Sequence, residues 1–211
     1  MRITLRVLLV IFSLTISTNS AIASDEHPIN ILILGDSLSA AYGIPKDLGW
    51  VNLMRSELKG SAKVINASVS GETTDGGRAS LKRHLAQYDP SIVVLELGAN
   101  DGLRGFPLNT TRDNLQAMID MSKGSGADVV LIGIHIPPNY GKRYTDSFYQ
   151  NFVDLAKKNA LEFVPFLLEN VALDPTLMQN DQLHPTAEAQ PLLLENVLPK
   201  IRKVIENQQS Q

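Results

Sequence analysis

Ile31-Leu32-Ile33-Leu34-Gly35-Asp36-Ser37-Leu38-Ser39 is the stretch that decides the fold. Four consecutive apolar residues without polar alternation read as a short strand buried on both faces, as in a parallel sheet covered by helices. Gly35 ends the strand, and the small polar residues after it suit the turn into a helix. A serine just past a buried parallel strand stands at the sheet's carboxyl edge, where open α/β sheets hold their ligands. An expected helix N-terminus close by would offer free N–H groups to an oxyanion. Taken alone, Ser37 reads equally well as a helix cap.

The same alternation runs down the chain. Trp50, Val51, Leu53, Met54 and Leu58 recur at helical spacing, and residues 62–67 form a second apolar strand. A helix starts near Thr74 or Asp75, and residues 92–97 are the clearest strand. A loop over residues 103–108 leads to a helix capped by Thr110 or Thr111. Residues 129–136 make the fourth strand, and a helix from about Asp146 to Asn159 follows. Residues 161–166 form a fifth strand, placed at an edge by Pro165. The last helix is bent or delayed by Pro191. Strand and helix alternate without repeats or linkers, which predicts one α/β domain: a three-layer, doubly wound parallel sheet of five strands.

At the N-terminus, Arg2 and Arg6 precede an apolar segment over residues 7–16, and Ala21-Ile22-Ala23 has the small-x-small form of a cleavage site. This predicts a signal peptide over 1–23, a single mature domain over 24–211, and a periplasmic or secreted destination. A ten-residue segment, interrupted by Ser13 and Thr15, falls short of the ~30 Å hydrocarbon layer, so no stable membrane anchor is expected. The chain's net charge of −3 becomes more negative by two when Arg2 and Arg6 leave. No basic excess then remains for nucleic acid. The absence of cysteine excludes both a disulfide framework and lipidation at a new N-terminal cysteine. His27, His84, His135 and His184 lack metal-ligand spacing, so neither metal nor cofactor is expected.

Polar clusters fall at the strand exits: Ser37, Gly71, Asn100, and Asp181 with His184 beyond strand five. Acyl transfer needs a nucleophile, a base, a group that orients the base, and oxyanion donors. Ser37 fits the nucleophile and His184 the base. Asp181, three residues earlier, reaches back over one turn to the imidazole. Asp36 is a rival for that role, but as the neighbour of Ser37 it is better suited to holding the turn. The Ser37 and Gly71 backbone N–H groups and the Asn100 amide are the candidate oxyanion donors. Each piece has an ordinary reading as well, since Gly-x-Asn-Asp runs make turns and Asp-x-x-His pairs occur on surfaces.

Gly35-Asp36-Ser37-Leu38-Ser39, Gly71, Gly98-Ala99-Asn100-Asp101 and Asp181-x-x-His184-Pro185 together resemble the four blocks of the SGNH (GDSL) hydrolase family. The likeness spans about residues 30–198 and is greatest to the family's periplasmic thioesterase, lysophospholipase and arylesterase branch. It implies a flavodoxin-like sheet of order 2-1-3-4-5 and metal-independent hydrolysis of fatty-acyl esters and thioesters. Ala99 departs from the glycine of close relatives, at a variable position. The nucleophile elbow Gly-x-Ser-x-Gly of α/β-hydrolases is absent.

An acyl groove is expected from Leu103, Phe106, Pro107 and Leu108, with Gly102 and Gly105 as hinges. The alternative is that these side chains pack on their own domain. His135, at the exit of strand four, is a rival base, but no carboxylate three or four residues away orients it; with Tyr140, on the loop that follows, it is expected in the pocket wall. The expected partners are small acyl esters or thioesters, and the expected state is a monomer. Two other readings remain: a carbohydrate O-acetyl esterase, and a non-catalytic ligand-binding module on the same scaffold.

Overall fold

The computed structural model describes residues 29–210, so the expected signal peptide and His27 lie outside the described residues. Five strands form one parallel sheet: β1 (Ile29–Gly35), β2 (Ala62–Asn66), β3 (Ile92–Glu96), β4 (Asp128–Ile132) and β5 (Glu162–Val164). Their order is β2-β1-β3-β4-β5, as the resemblance implies. Among the described residues six α-helices accompany them: α1 (Trp50–Glu57), α2 (Thr74–Tyr88), α3 (Ala99–Leu103), α4 (Leu108–Gly124), α5 (Lys142–Asn159) and, after β5, α6 (Gln190–Gln209).

Alternate strand residues face opposite layers. Ile31, Ile33, Ile92, Val94 and Val130 pack against Trp50 and Met54 of α1 and Leu193, Val197 and Ile201 of α6. Leu32, Leu34, Val93, Leu95 and Leu131 pack against Leu81, Leu115, Met118, Phe148 and Phe152 of α2, α4 and α5. Both faces are dry, which is why β1 and β3 read as unbroken apolar runs. Each fully buried side chain of this kind stabilises the fold by about 1.5–3 kcal/mol. The Trp50 N–H donates to Gln190 Oε1 at 3.0 Å, tying the start of α1 to the start of α6.

Several boundaries move, each for a local reason. No α-helix follows Ser37: residues 36–42 make a single compact turn, with Ala40 N donating to Asp36 O at 3.0 Å and Tyr42 N to Ser37 O at 3.2 Å. Ala41 (φ 58°) and Gly43 (φ 74°) then take the chain out of helical space, so α1 waits until Trp50. β4 stops at Ile132 and β5 at Val164, both shorter than expected. The Gly133 N–H makes the last bond, to Val164 O at 2.8 Å, and Pro165 has no N–H with which to continue. Pro191 sits in the first turn of α6, where its missing N–H delays nothing. The short helix α3 was not expected. It and α4, which starts at Leu108, take the two ends of the predicted 103–108 loop and leave residues 104–107 as the connection.

Candidate active site

β1 and β3 are adjacent, and their carboxyl ends put the Ser37 turn beside Asn100 in the first turn of α3. Asp36 Oδ1 accepts from Leu38 N at 3.0 Å, and its Oδ2 accepts from Asn100 Nδ2 at 3.2 Å. Asp36 therefore holds the turn, with both carboxyl oxygens engaged by Leu38 and Asn100. The same Asn100 nitrogen donates to Glu72 O at 2.9 Å, so both of its hydrogens are engaged. Gly71 lies beside that loop at φ 79°, and its carbonyl accepts from Arg104 Nη2 at 3.1 Å. A Cβ on Gly71 would have room, but the dihedral itself disfavours a side chain.

From the other side comes the 165–189 connection. Asp181 Oδ1 accepts from Leu183 N at 2.9 Å and His184 N at 3.0 Å, a local turn that brings the imidazole around. His184 Nδ1 then lies 2.7 Å from Asp181 Oδ2, and its Nε2 lies 2.8 Å from Ser37 Oγ. The Tyr42 ring stands 4.5 Å from the imidazole, centroid to centroid. Burial pushes the Asp181 carboxyl up, but the His184 ring and the two backbone N–H groups outweigh it and hold the pKa at about 2. Asp181 is thus a carboxylate throughout the neutral range.

Beneath the Ser37 turn sits Glu96, the last residue of β3, with no exposed surface. Its Oε2 accepts from Ser39 Oγ at 2.7 Å and Asp36 N at 3.3 Å, while Oε1 has no partner. Gly35 makes this approach possible, since a Cβ there would lie 2.7 Å from Glu96 Oε2. Burial and the nearby Asp36 push the Glu96 carboxyl well above its ordinary range. Asp36 itself is raised to about 6, mainly by burial, against the pull of the Leu38 N–H, His184 and Asn100.

A cavity of about 630 Å³ opens from Ser37, His184, Gly71 and Asn100. Ile134, Ile136, Pro137, Phe166, Leu168 and Met178 give it an apolar wall, and Leu173 stands 98% exposed at its rim. Leu103 and His135 line it as expected. Phe106, Pro107, Leu108 and Tyr140 do not. Pro107 caps α4 and Leu108 packs into the helix-covered core. Phe106 N donates to Asp101 O at 2.9 Å, which folds it back on the end of α3. Tyr140 braces the wall from outside, its hydroxyl donating to Leu103 O at 3.1 Å. His135 stacks on Tyr149 at 3.9 Å and meets Phe166 edge-on, and burial lowers its pKa. It serves as wall.

Two residues of the site carry no motif. Glu96 has a faint signal, as the one charge in the run 92–97. Gln179 has none, although its Nε2 donates at 2.9 Å to both Tyr42 O and Pro185 O and so clamps the His184 loop to the Ser37 loop. Among the described residues, no group of three or more His, Asp or Glu could hold a metal ion, and no helix is long and apolar enough to cross a membrane.

Comparison with known proteins fits this arrangement. The profile of the GDSL-like Lipase/Acylhydrolase family matches residues 33–191. An arylesterase of Vibrio mimicus is 45% identical over 184 residues, covering 86% of this chain and 92% of that one. Thioesterase 1/protease 1/lysophospholipase L1 of Escherichia coli is 37% identical over 192 residues, covering 91% and 90%. The crystal structure of the psychrotrophic esterase EstA from Pseudoalteromonas sp., inhibited by monoethylphosphonate, superposes with a TM-score of 0.80 at 42% identity, covering 84% and 98%. The chain belongs to the GDSL-like lipase/acylhydrolase family and is an ester-hydrolysing enzyme.

Proposed function

We propose that the chain is an exported serine hydrolase of fatty-acyl esters and thioesters, acting through an acyl-enzyme on Ser37. The observation that carries this reading is the line of atoms from Asp181 Oδ2 through the His184 ring to Ser37 Oγ, at 2.7 and 2.8 Å, opening on an apolar cavity. His184 Nε2 takes the Ser37 proton as Oγ attacks the carbonyl carbon, and Asp181 stabilises the imidazolium. The negative charge on the carbonyl oxygen falls to the Ser37 and Gly71 N–H groups and the Asn100 amide. Asn100 turns the longer of its two bonds, that to Asp36, toward the oxyanion. His184 then returns the proton to the departing alcohol or thiol. Water attacks the acyl-enzyme by the same route.

The apolar wall suits an acyl chain better than a sugar, which sets the fatty-acyl reading above a carbohydrate O-acetyl esterase. The inhibition of the Pseudoalteromonas relative by a phosphonate agrees with a reactive serine in the family. Export rests on residues 1–23, with a monomer as the working state. The test is turnover by the mature protein of a p-nitrophenyl ester series from acetyl to palmitoyl, together with acyl-CoAs. The reading expects kcat/KM to peak at medium or long chains and to survive EDTA. A maximum at acetyl, or loss of activity to the chelator with recovery on adding zinc, would refute it.

A further inference from the structure

A second groove, of about 540 Å³, adjoins the cavity, and the two share Ser70. The Ser37 turn divides them. Asp36, Ser37 and Leu38 line the cavity, which spreads over the ends of β3, β4 and β5, whereas Ser39, Ala40 and Ala41 line the groove, on the β1–β2 side. The groove differs in chemistry from the apolar cavity. Lys46, Asn52, Arg55, Asn66 and Ser68 face it, with Asp47 as its only acid. Arg55 Nε donates to Val64 O at 3.2 Å and its Nη1 to Asn52 Oδ1, so the guanidinium is held in place. Among the described residues, neither Lys46 nor Arg55 pairs with a carboxylate. The Ser68 hydroxyl is buried without a hydrogen-bond partner.

An ester bound for attack by Ser37 extends both ways from its carbonyl carbon. One arm is the acyl chain, which the apolar cavity takes. The other is the alcohol or thiol about to leave, and the groove lies across the Ser37 turn from that cavity. A cationic, amide-lined groove in a chain of net charge −3 matches an oxygen-rich anion. We propose that this groove is the leaving-group subsite and that it takes alcohols or thiols bearing phosphate. The inference rests on the acyl-ester reading above.

Four substrates with one acyl chain test it. Decanoyl-CoA against decanoyl-N-acetylcysteamine, and decanoyl-lysophosphatidylglycerol against monodecanoylglycerol, vary the phosphate while keeping the scissile bond. In Lys46→Glu and Arg55→Gln the charged-to-neutral ratio of kcat/KM should fall roughly three- to tenfold, through KM. In wild type the same ratio should shrink as salt is raised. Lys46 is exposed, so its variant tests the groove even if Arg55→Gln fails to fold. A fall in one pair alone supports the groove and identifies which phosphate source it serves. Ratios unchanged in both pairs and both variants would overturn the groove while leaving the acyl-ester reading intact. If wild type turns over none of the four, the reading and the inference fall together.

Discussion

Ser37 and Asn100 leave the ends of β1 and β3, adjacent strands in the interior of the sheet. His184 and Asp181 instead hang on residues 165–189, whose only strand-like contact among the described residues is the bridge between Met178 and Pro185. The strand side is floored by two buried carboxyl groups, Asp36 and Glu96, forced together under the turn. The loop side is exposed, and a few hydrogen bonds from Asp181 and Gln179 hold it. The first arrangement costs stability and fixes the Ser37 turn and Asn100, the proposed oxyanion donors. The second costs little and leaves the base to be aimed by its partners.

Breaking the loop side at its working end should have the largest effect. His184→Ala removes the proposed base and should lower kcat by roughly 10⁴ or more while circular dichroism stays that of wild type. On the strand side, Asn100→Ala deletes one proposed oxyanion donor and should lower kcat by about 10²–10³ with a smaller change in KM. A loss confined to KM would make Asn100 a uniform substrate contact.

Asp36→Asn sharpens the contrast, because it should move activity and stability in opposite directions. The folded protein holds the Asp36 proton to about pH 6, against an ordinary 3.8. Its contribution to stability is therefore fully present below 3.8 and is lost as pH rises through about 6. The variant should raise Tm at pH 8 by roughly 2–4 °C, the shift that 1 kcal/mol produces in a chain of this size, with little gain near pH 4. Its kcat should fall, since the contact from Asp36 to Asn100 changes. An equal Tm shift at both pH values would mean that the buried charge is not the cause.

The smallest effect is expected at Gln179. Gln179→Ala frees the His184 loop from the Ser37 loop and should lower kcat severalfold at nearly unchanged Tm, as read by steady-state kinetics and calorimetry.

The same contrast explains what could be read from the sequence. The strand side was legible because a parallel strand buried on both faces is an apolar run, and the residues just past such runs fall on one edge. Asp181-x-x-His184 was legible because its spacing closes one local turn. The helix α3 was not, since Asn100, Asp101 and Gly102 are poor helix formers. Contacts distant in sequence secure it: Tyr144 Oη donates to Gly102 O at 3.0 Å, and Asp101 accepts from Thr74 N at 2.9 Å. The cavity wall was only partly legible for the same reason. It is assembled from residues 133–138 and 166–183, and nothing in residues 103–108 tells that they turn inward or cap a helix instead.

The central claim is that Ser37 Oγ, activated by His184 and Asp181, carries the acyl group. Intact-mass and peptide mass spectrometry after reaction with a fluorophosphonate test it most directly. The account predicts one adduct per wild-type chain, located on Ser37, with labelling greatly slowed in His184→Ala and absent in Ser37→Ala, whose ester turnover should also fall by roughly 10⁴–10⁶. An adduct on any other residue, or undiminished labelling and turnover in Ser37→Ala, would contradict it.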